Sequence, residues 1–193
     1  MRVNFSIALG ATIATVATGG CSRGATPAAV SQSTLQELRS ATQADQSSQR
    51  LYVPDFDLNQ VSTYQLDGTQ TSPTITKNLQ GPEAVAVGPT GMIYVANGYG
   101  GTITTYTRDG KETKPTILVN GPAGLATDAD GKIYVISTPP TESCGSGTLF
   151  TFQPDGTRTA PTIALPDDGP DAVVVDSKGK IYVAGICNGT FRL

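Results

Sequence analysis

Between residues 51 and 193 the same four landmarks recur in the same order. An aliphatic-Tyr-Val triplet places tyrosines at Tyr52, Tyr94, Tyr134 and Tyr182, at spacings of 42, 40 and 48 residues. The stretches GPEAVAV, GPAGLAT and GPDAVVV begin at Gly81, Gly121 and Gly169. An Asp-Gly pair ends at Gly68, Gly110 and Gly156, and a Pro-Thr-Ile triplet follows from Pro73, Pro115 and Pro161. A fixed period of this size means that each unit is one supersecondary element, which buries its apolar face only against its neighbours.

Each landmark has a local reading. AVAV and AVVV are short, apolar and rich in β-branched residues, as expected of a strand covered on both faces. A turn carrying Gly91, Gly131 or Gly179 follows, because glycine accepts positive φ. The Tyr-Val triplet is the second strand. The third carries an aliphatic and an aromatic residue in step, namely Val61 and Tyr64, Ile103 and Tyr106, Leu149 and Phe152. Asp-Gly then turns the chain into a fourth strand, whose proline fits an outer edge that lacks a partner. Four antiparallel strands per repeat describe one blade of an all-β propeller, here about three blades plus part of a fourth. The count predicts a piece of a longer propeller, or copies that associate to close a ring.

GPEAVAVGPTGMIYVANG followed by TITTYTRDG resembles NHL-type and related extracytoplasmic β-propeller repeats. The resemblance covers residues 51–193 and implies the fold far more than an activity, because propellers host binders, scaffolds and hydrolases alike.

The N-terminus reads as an export signal. Arg2 precedes a small and apolar stretch from Phe5 to Ala17, too short to span a bilayer, and the segment ends in ATGGC at Cys21. Residues 1–21 thereby resemble a bacterial lipoprotein signal with a lipobox, although Thr18 stands where that pattern prefers leucine. The resemblance implies lipidation at Cys21 and a place in the cell envelope, at the outer membrane or in the periplasm. Residues 22–50 read as a flexible tether, small and polar around Pro27, with a weak capping box from Thr34 to Glu37.

Composition prunes the functions. With 13 Lys and Arg against 16 Asp and Glu the net charge is −3, and no basic run offers a phosphate-binding surface, so nucleic acid is not an expected partner. The chain has no histidine, which excludes Ser-His-Asp and Cys-His catalysis and His-ligated metal sites within it. It has no tryptophan, which argues against WD-type repeats. Virginiamycin-lyase-like propellers share the repeat pattern, but their chemistry depends on the missing histidine.

In such a propeller, the loops entering the inner strands share a face with the hairpins between second and third strands. That face would gather Glu83, Asp167, Asp168 and Asp171 from entry loops, Asn97 and Tyr99 from one hairpin, and the insertion TPPTESCGSG from the next. Cys144 and Cys187 occupy equivalent hairpins of successive repeats and are candidates for a disulfide. The DADG stretch from Asp128 lacks the later ligands of an EF-hand and reads as a β-turn. The Asn188 sequon reads as hairpin chemistry.

The leading expectation is an envelope-tethered binding or scaffold module for a protein, glycan or small ligand, anchored by lipid and needing no cofactor. The alternative is a divalent-metal-dependent hydrolase of the gluconolactonase-like type. Resemblance to that group implies a cation such as calcium held by Glu83, Asn97 and Asp171, with further ligands in other blades, although Ala123 interrupts the ring. A third expectation is a structural protein whose copies self-associate.

Overall fold

Alternating burial and short turns fold every repeat as an antiparallel meander. The computed structural model describes residues 49–138, 144–166, 168–187 and 190–192. The signal at 1–21 with Cys21, the tether as far as residue 48, Asp167 and Asn188 lie outside the described residues.

The first sheet is β1 (Leu51–Asp55), β2 (Gln60–Tyr64) and β3 (Gln70–Ile75). The second runs in order through β4 (Pro82–Val87), β5 (Ile93–Asn97), β6 (Thr102–Tyr106) and β7 (Glu112–Leu118). The third repeats it with β8 (Pro122–Thr127), β9 (Ile133–Ser137), β10 (Gly147–Phe152) and β11 (Arg158–Leu165). The fourth holds β12 (Pro170–Val175), β13 (Ile181–Gly185) and β14 (Thr190–Arg192). All pairings are antiparallel, and the described residues contain no helix.

The inner strands β4, β8 and β12 pack side by side across sheet boundaries, with β8 in the middle. Between sheets lie three apolar clusters. Tyr52, Val61, Ile75, Val85 and Ile93 join the first sheet to the second, and Ala84, Ile103, Ile117, Leu125 and Phe152 join the second to the third. Tyr134, Leu149, Leu165, Val173 and Val183 join the third to the fourth. The aliphatic landmark of the third strand is fully sequestered each time, as Val61, Ile103 and Leu149. Burying one such side chain stabilises the fold by roughly 1.5–3 kcal/mol, so each blade depends on its neighbour.

The outer strands behave as edges with one addition. Register slips between Val61 and Thr63, Ile103 and Thr105, and Leu149 and Thr151, so β3, β7 and β11 bulge around Pro73, Pro115 and Pro161. Hydroxyls hold the bulge in two repeats, Thr63 donating to the Pro73 carbonyl and Thr105 to that of Pro115. The corresponding Thr151 hydroxyl is buried and has no hydrogen-bond partner among the described residues.

The sheets have two distinct ends. At one, tight turns join first to second strands and third to fourth. At the other, the inner strands begin and the second-to-third hairpins stand, as the pairings Pro82 with Asn97 and Asn97 with Thr102 show. At the turn end Asp128 accepts from the Asp130 and Lys132 amides and from the Tyr134 hydroxyl, and Asp176 repeats the arrangement with Lys178, Lys180 and Tyr182. DADG is therefore a β-turn closed on itself. Burial, and secondarily the bond to Asp128, raises the Tyr134 pKa to about 12, which keeps its phenol a donor.

Turn glycines differ in what a side chain would meet. Gly91 and Gly110 have φ of 81° and 80°. A Cβ on Gly91 would enter open space, whereas one on Gly110 would lie 2.7 Å from Pro73 of the preceding sheet. Gly91→Ala is expected to cost about 1–2 kcal/mol from the left-handed backbone alone, and Gly110→Ala measurably more, in urea titrations followed by circular dichroism. Equal losses would mean that the contact between sheets at Gly110 carries no energy.

Candidate functional site

The hairpin end is built by one device used three times. Gly81, Gly121 and Gly169 take φ of 61°, 53° and 57°, and each presents its carbonyl to the amide beyond the second strand of its own sheet. Those amides belong to Gly98 (2.8 Å), Thr138 (2.8 Å) and Ile186 (3.0 Å). The chain is thereby clamped where it passes from one blade into the next, and the hairpin tips project beyond the clamp.

Adjacent hairpins also touch. In the first sheet Leu58 N–H donates to Asp55 Oδ1 (3.0 Å), and Asn59, at φ 50°, accepts from the Gly81 amide through Oδ1 (2.7 Å). This sets the Phe56 ring edge-on to Tyr99 of the second hairpin, with centroids 4.7 Å apart and planes at 60°. Both rings rest on Gly81, where an added Cβ would fall 2.9 Å from Phe56 and 3.0 Å from Tyr99. Tyr99 remains 78% exposed and Leu58 66%. On the fourth sheet Ile186, at the position equivalent to Gly98, is 51% exposed.

The structure distributes the expected site residues unevenly. Glu83 lies across the second hairpin, so close to Gly98 that a Cβ there would fall 2.1 Å from Oε1. Among the described residues its carboxylate makes no hydrogen bond and no ion pair. Burial pushes its pKa above the ordinary carboxylate value, and the negative charge of Asp171 pushes it further in the same direction. Glu83 and Asp171 stand on inner strands β4 and β12, on either side of the buried Ala123 of β8. Asp168 belongs to the strand-entry segment; its carbonyl accepts from the Cys187 amide (3.1 Å) and lies against Gly185.

Asn97 is at this end of β5 but does not face outward. Its side chain is fully buried, accepts from the Gln80 amide (3.1 Å), and donates to Thr102 (3.3 Å) and Thr104 (3.1 Å). An amide held on this many sides fixes the linker to the hairpin and has no free atom for a ligand. The expectation that Asn97 joins Glu83 and Tyr99 on an exposed face gives way to this interior role.

Cys144 and Cys187 are joined by a disulfide with Cα atoms 5.8 Å apart. It ties the long third hairpin to the fourth, and the Gly169 amide donating to Gly145 (3.1 Å) reinforces the junction. Residues 139–143 of the insertion lie outside the described residues. Phe56 and Leu58 were not singled out from sequence. The signal available for them was their position between β1 and β2, equivalent to the Tyr99 hairpin.

A carboxyl whose folded-state pKa is raised favours folding most when protonated. Stability contributed at Glu83 therefore falls as pH rises from the ordinary carboxylate range through the raised value. Glu83→Gln is expected to melt above the unaltered chain at neutral pH, with the difference shrinking in acid, in a pH series of thermal melts. A lower melting temperature at neutral pH would show that an unseen favourable interaction holds the carboxylate.

No family model matches the chain, and no curated protein matches it. Solved structures do. Hydrazine synthase of Kuenenia stuttgartiensis is 21% identical with a TM-score of 0.60, over 74% of this chain and 40% of that one. Virginiamycin B lyase of Staphylococcus aureus is 16% identical with a TM-score of 0.55, over 77% and 53%. Regucalcin of Agrobacterium tumefaciens is 15% identical with a TM-score of 0.52, over 74% and 52%. The chain thus spans about half the length of these structures or less. At such identities the likeness concerns the fold alone: this chain is an all-β propeller-type arc of antiparallel blades.

Proposed function

We propose that the chain is an envelope-tethered β-propeller binding module that presents its hairpin end to a ligand. The observation that supports this is the edge-on contact of the partly buried Phe56 with the exposed Tyr99, on a hairpin that also exposes Leu58, with Glu83, which has no hydrogen bond or ion pair among the described residues, against the neighbouring Gly98. Exposed aromatic anchors on a rigid scaffold are the usual makings of a recognition surface. Loops held on a rigid scaffold are where recognition tends to sit.

A second reading, a metal-dependent hydrolase of the gluconolactonase-like type, draws on Glu83 and Asp171, whose mutual repulsion a divalent cation such as calcium would relieve. One similar structure is described as a calcium-binding protein. Among the described residues no group of three or more His, Cys, Asp or Glu is placed to hold a metal ion, so this reading takes its remaining ligands from other blades.

One binding screen separates the two. The immobilised chain is exposed to envelope proteins, glycans and calcium chloride. Binding of a protein or glycan is expected to be lost in Tyr99→Asp and Leu58→Asp and kept in Leu66→Asp, at the turn end. Calcium-dependent thermal stabilisation abolished by Glu83→Gln would replace the first reading with the second. For the tether, mass spectrometry of the mature chain from a bacterial host should find a lipid-modified N-terminal Cys21. A mature chain cleaved elsewhere, with Cys21 absent or unmodified, would remove the anchor.

A further inference from the structure

The hairpin end is one-sided in charge. The entry segments and hairpin tips at 56–59, 80–83, 97–101 and 168–171 contain Asp57, Glu83, Asp168 and Asp171 and no lysine or arginine. The nearest basic residue along the chain, Lys77, is paired with Glu112 at 3.5 Å. The segments that carry the exposed apolar residues thus bring carboxylates and no positive charge to this end, and Glu83 lies against Gly98, next to Tyr99 in the chain. Glu83, partly buried, has neither a hydrogen-bond donor nor a cation to compensate it among the described residues. An arriving positive charge would relieve both its burial and its repulsion from Asp171.

We propose that the Phe56–Leu58–Tyr99 patch docks a basic segment of a partner protein. An arginine or lysine side chain would lie along the aromatic pair, with its charge met by Asp57 and Glu83. This rests on the hairpin end being the binding face. Three features choose this occupant. The rings offer π faces and edges to a guanidinium or ammonium, which is attracted to aromatic faces and keeps an apolar stem for Leu58. Tyr99 and Leu58 are 78% and 66% exposed, an open surface suited to a protein segment, whereas small ligands are held in concave sites that bury most of their area. A second copy of this chain would bring the same acidic rim against itself, and nucleic acid or anionic lipid would be repelled by it.

The test uses the full 193-residue chain and a short N-acetylated, C-amidated peptide of alternating arginine and leucine, in isothermal titration calorimetry at low salt. A peptide with glutamate in place of arginine serves as the counterpart. The arginine peptide should bind and the glutamate peptide should not. Glu83→Gln and Tyr99→Ala should each weaken binding by about tenfold. Asp130→Asn, which removes an exposed turn-end charge, should leave it unchanged, and circular dichroism would confirm that each variant is folded. Equal weakening by Asp130→Asn and Glu83→Gln would reduce the effect to diffuse charge and overturn the proposal. So would binding of the glutamate peptide, or light scattering that shows self-association abolished by Tyr99→Asp. If the arginine peptide fails to bind while another ligand still requires Tyr99, the chemistry falls and the binding face stands. If no ligand depends on Tyr99 or Leu58, both fall.

Discussion

The left-handed backbone at Gly81, Gly121 and Gly169 is the constraint on which the arrangement of blades depends. At each of these positions the chain leaves an outer strand and enters the inner strand of the next sheet. Positive φ turns the glycine carbonyl toward the amide beyond the second strand, so one hydrogen bond per repeat fixes the angle of entry. A side chain here would be strained by the backbone, and at Gly81 it would also strike Phe56 and Tyr99. The proline that follows is buried in all three repeats, so the inner strand starts from a position set twice over.

From that constraint follows a division between the two ends of the sheets. At the turn end, carboxylates are consumed by their own turns. Backbone amides hold Asp67, Asp155 and Asp176 below the ordinary carboxylate range, and the Thr107 hydroxyl does the same for Asp109. Their contribution to folding is present above the usual carboxylate pKa and is lost as pH falls through the lowered values. Glu83 at the hairpin end shows the opposite shift, because it is partly buried, finds no donor among the described residues and is repelled by Asp171. Carboxylates of one chemical kind thus serve as staples at one end and as an unsatisfied group at the other.

The repeat made the strands legible. Period, turn glycines and β-branched runs located the blades because propeller strands are short and their turns demand particular residues. The pairing of Cys144 with Cys187 could be anticipated from equivalent hairpins in successive repeats, since neighbouring blades bring such positions together. The orientation of Asn97 could not. Whether a residue at a strand end points outward or in depends on Thr102, Thr104 and the Gln80 amide around it, none of which belongs to the repeat pattern. The Phe56 and Tyr99 contact was equally hidden, because the two hairpins share no sequence and meet only through the close approach that Gly81 allows.

The disulfide has a consequence for the integrity of the arc. It closes a covalent loop between positions 43 residues apart, enclosing β10, β11, the crossover into the fourth sheet, β12 and β13. A protease that cut any single peptide bond inside that loop would leave both pieces attached through sulfur. The nicked molecule would keep the mass of the intact chain plus one water, and its blades could stay docked. Separation would require a reductant as well as a protease, which protects this part of the molecule in an oxidising compartment and exposes it in a reducing one.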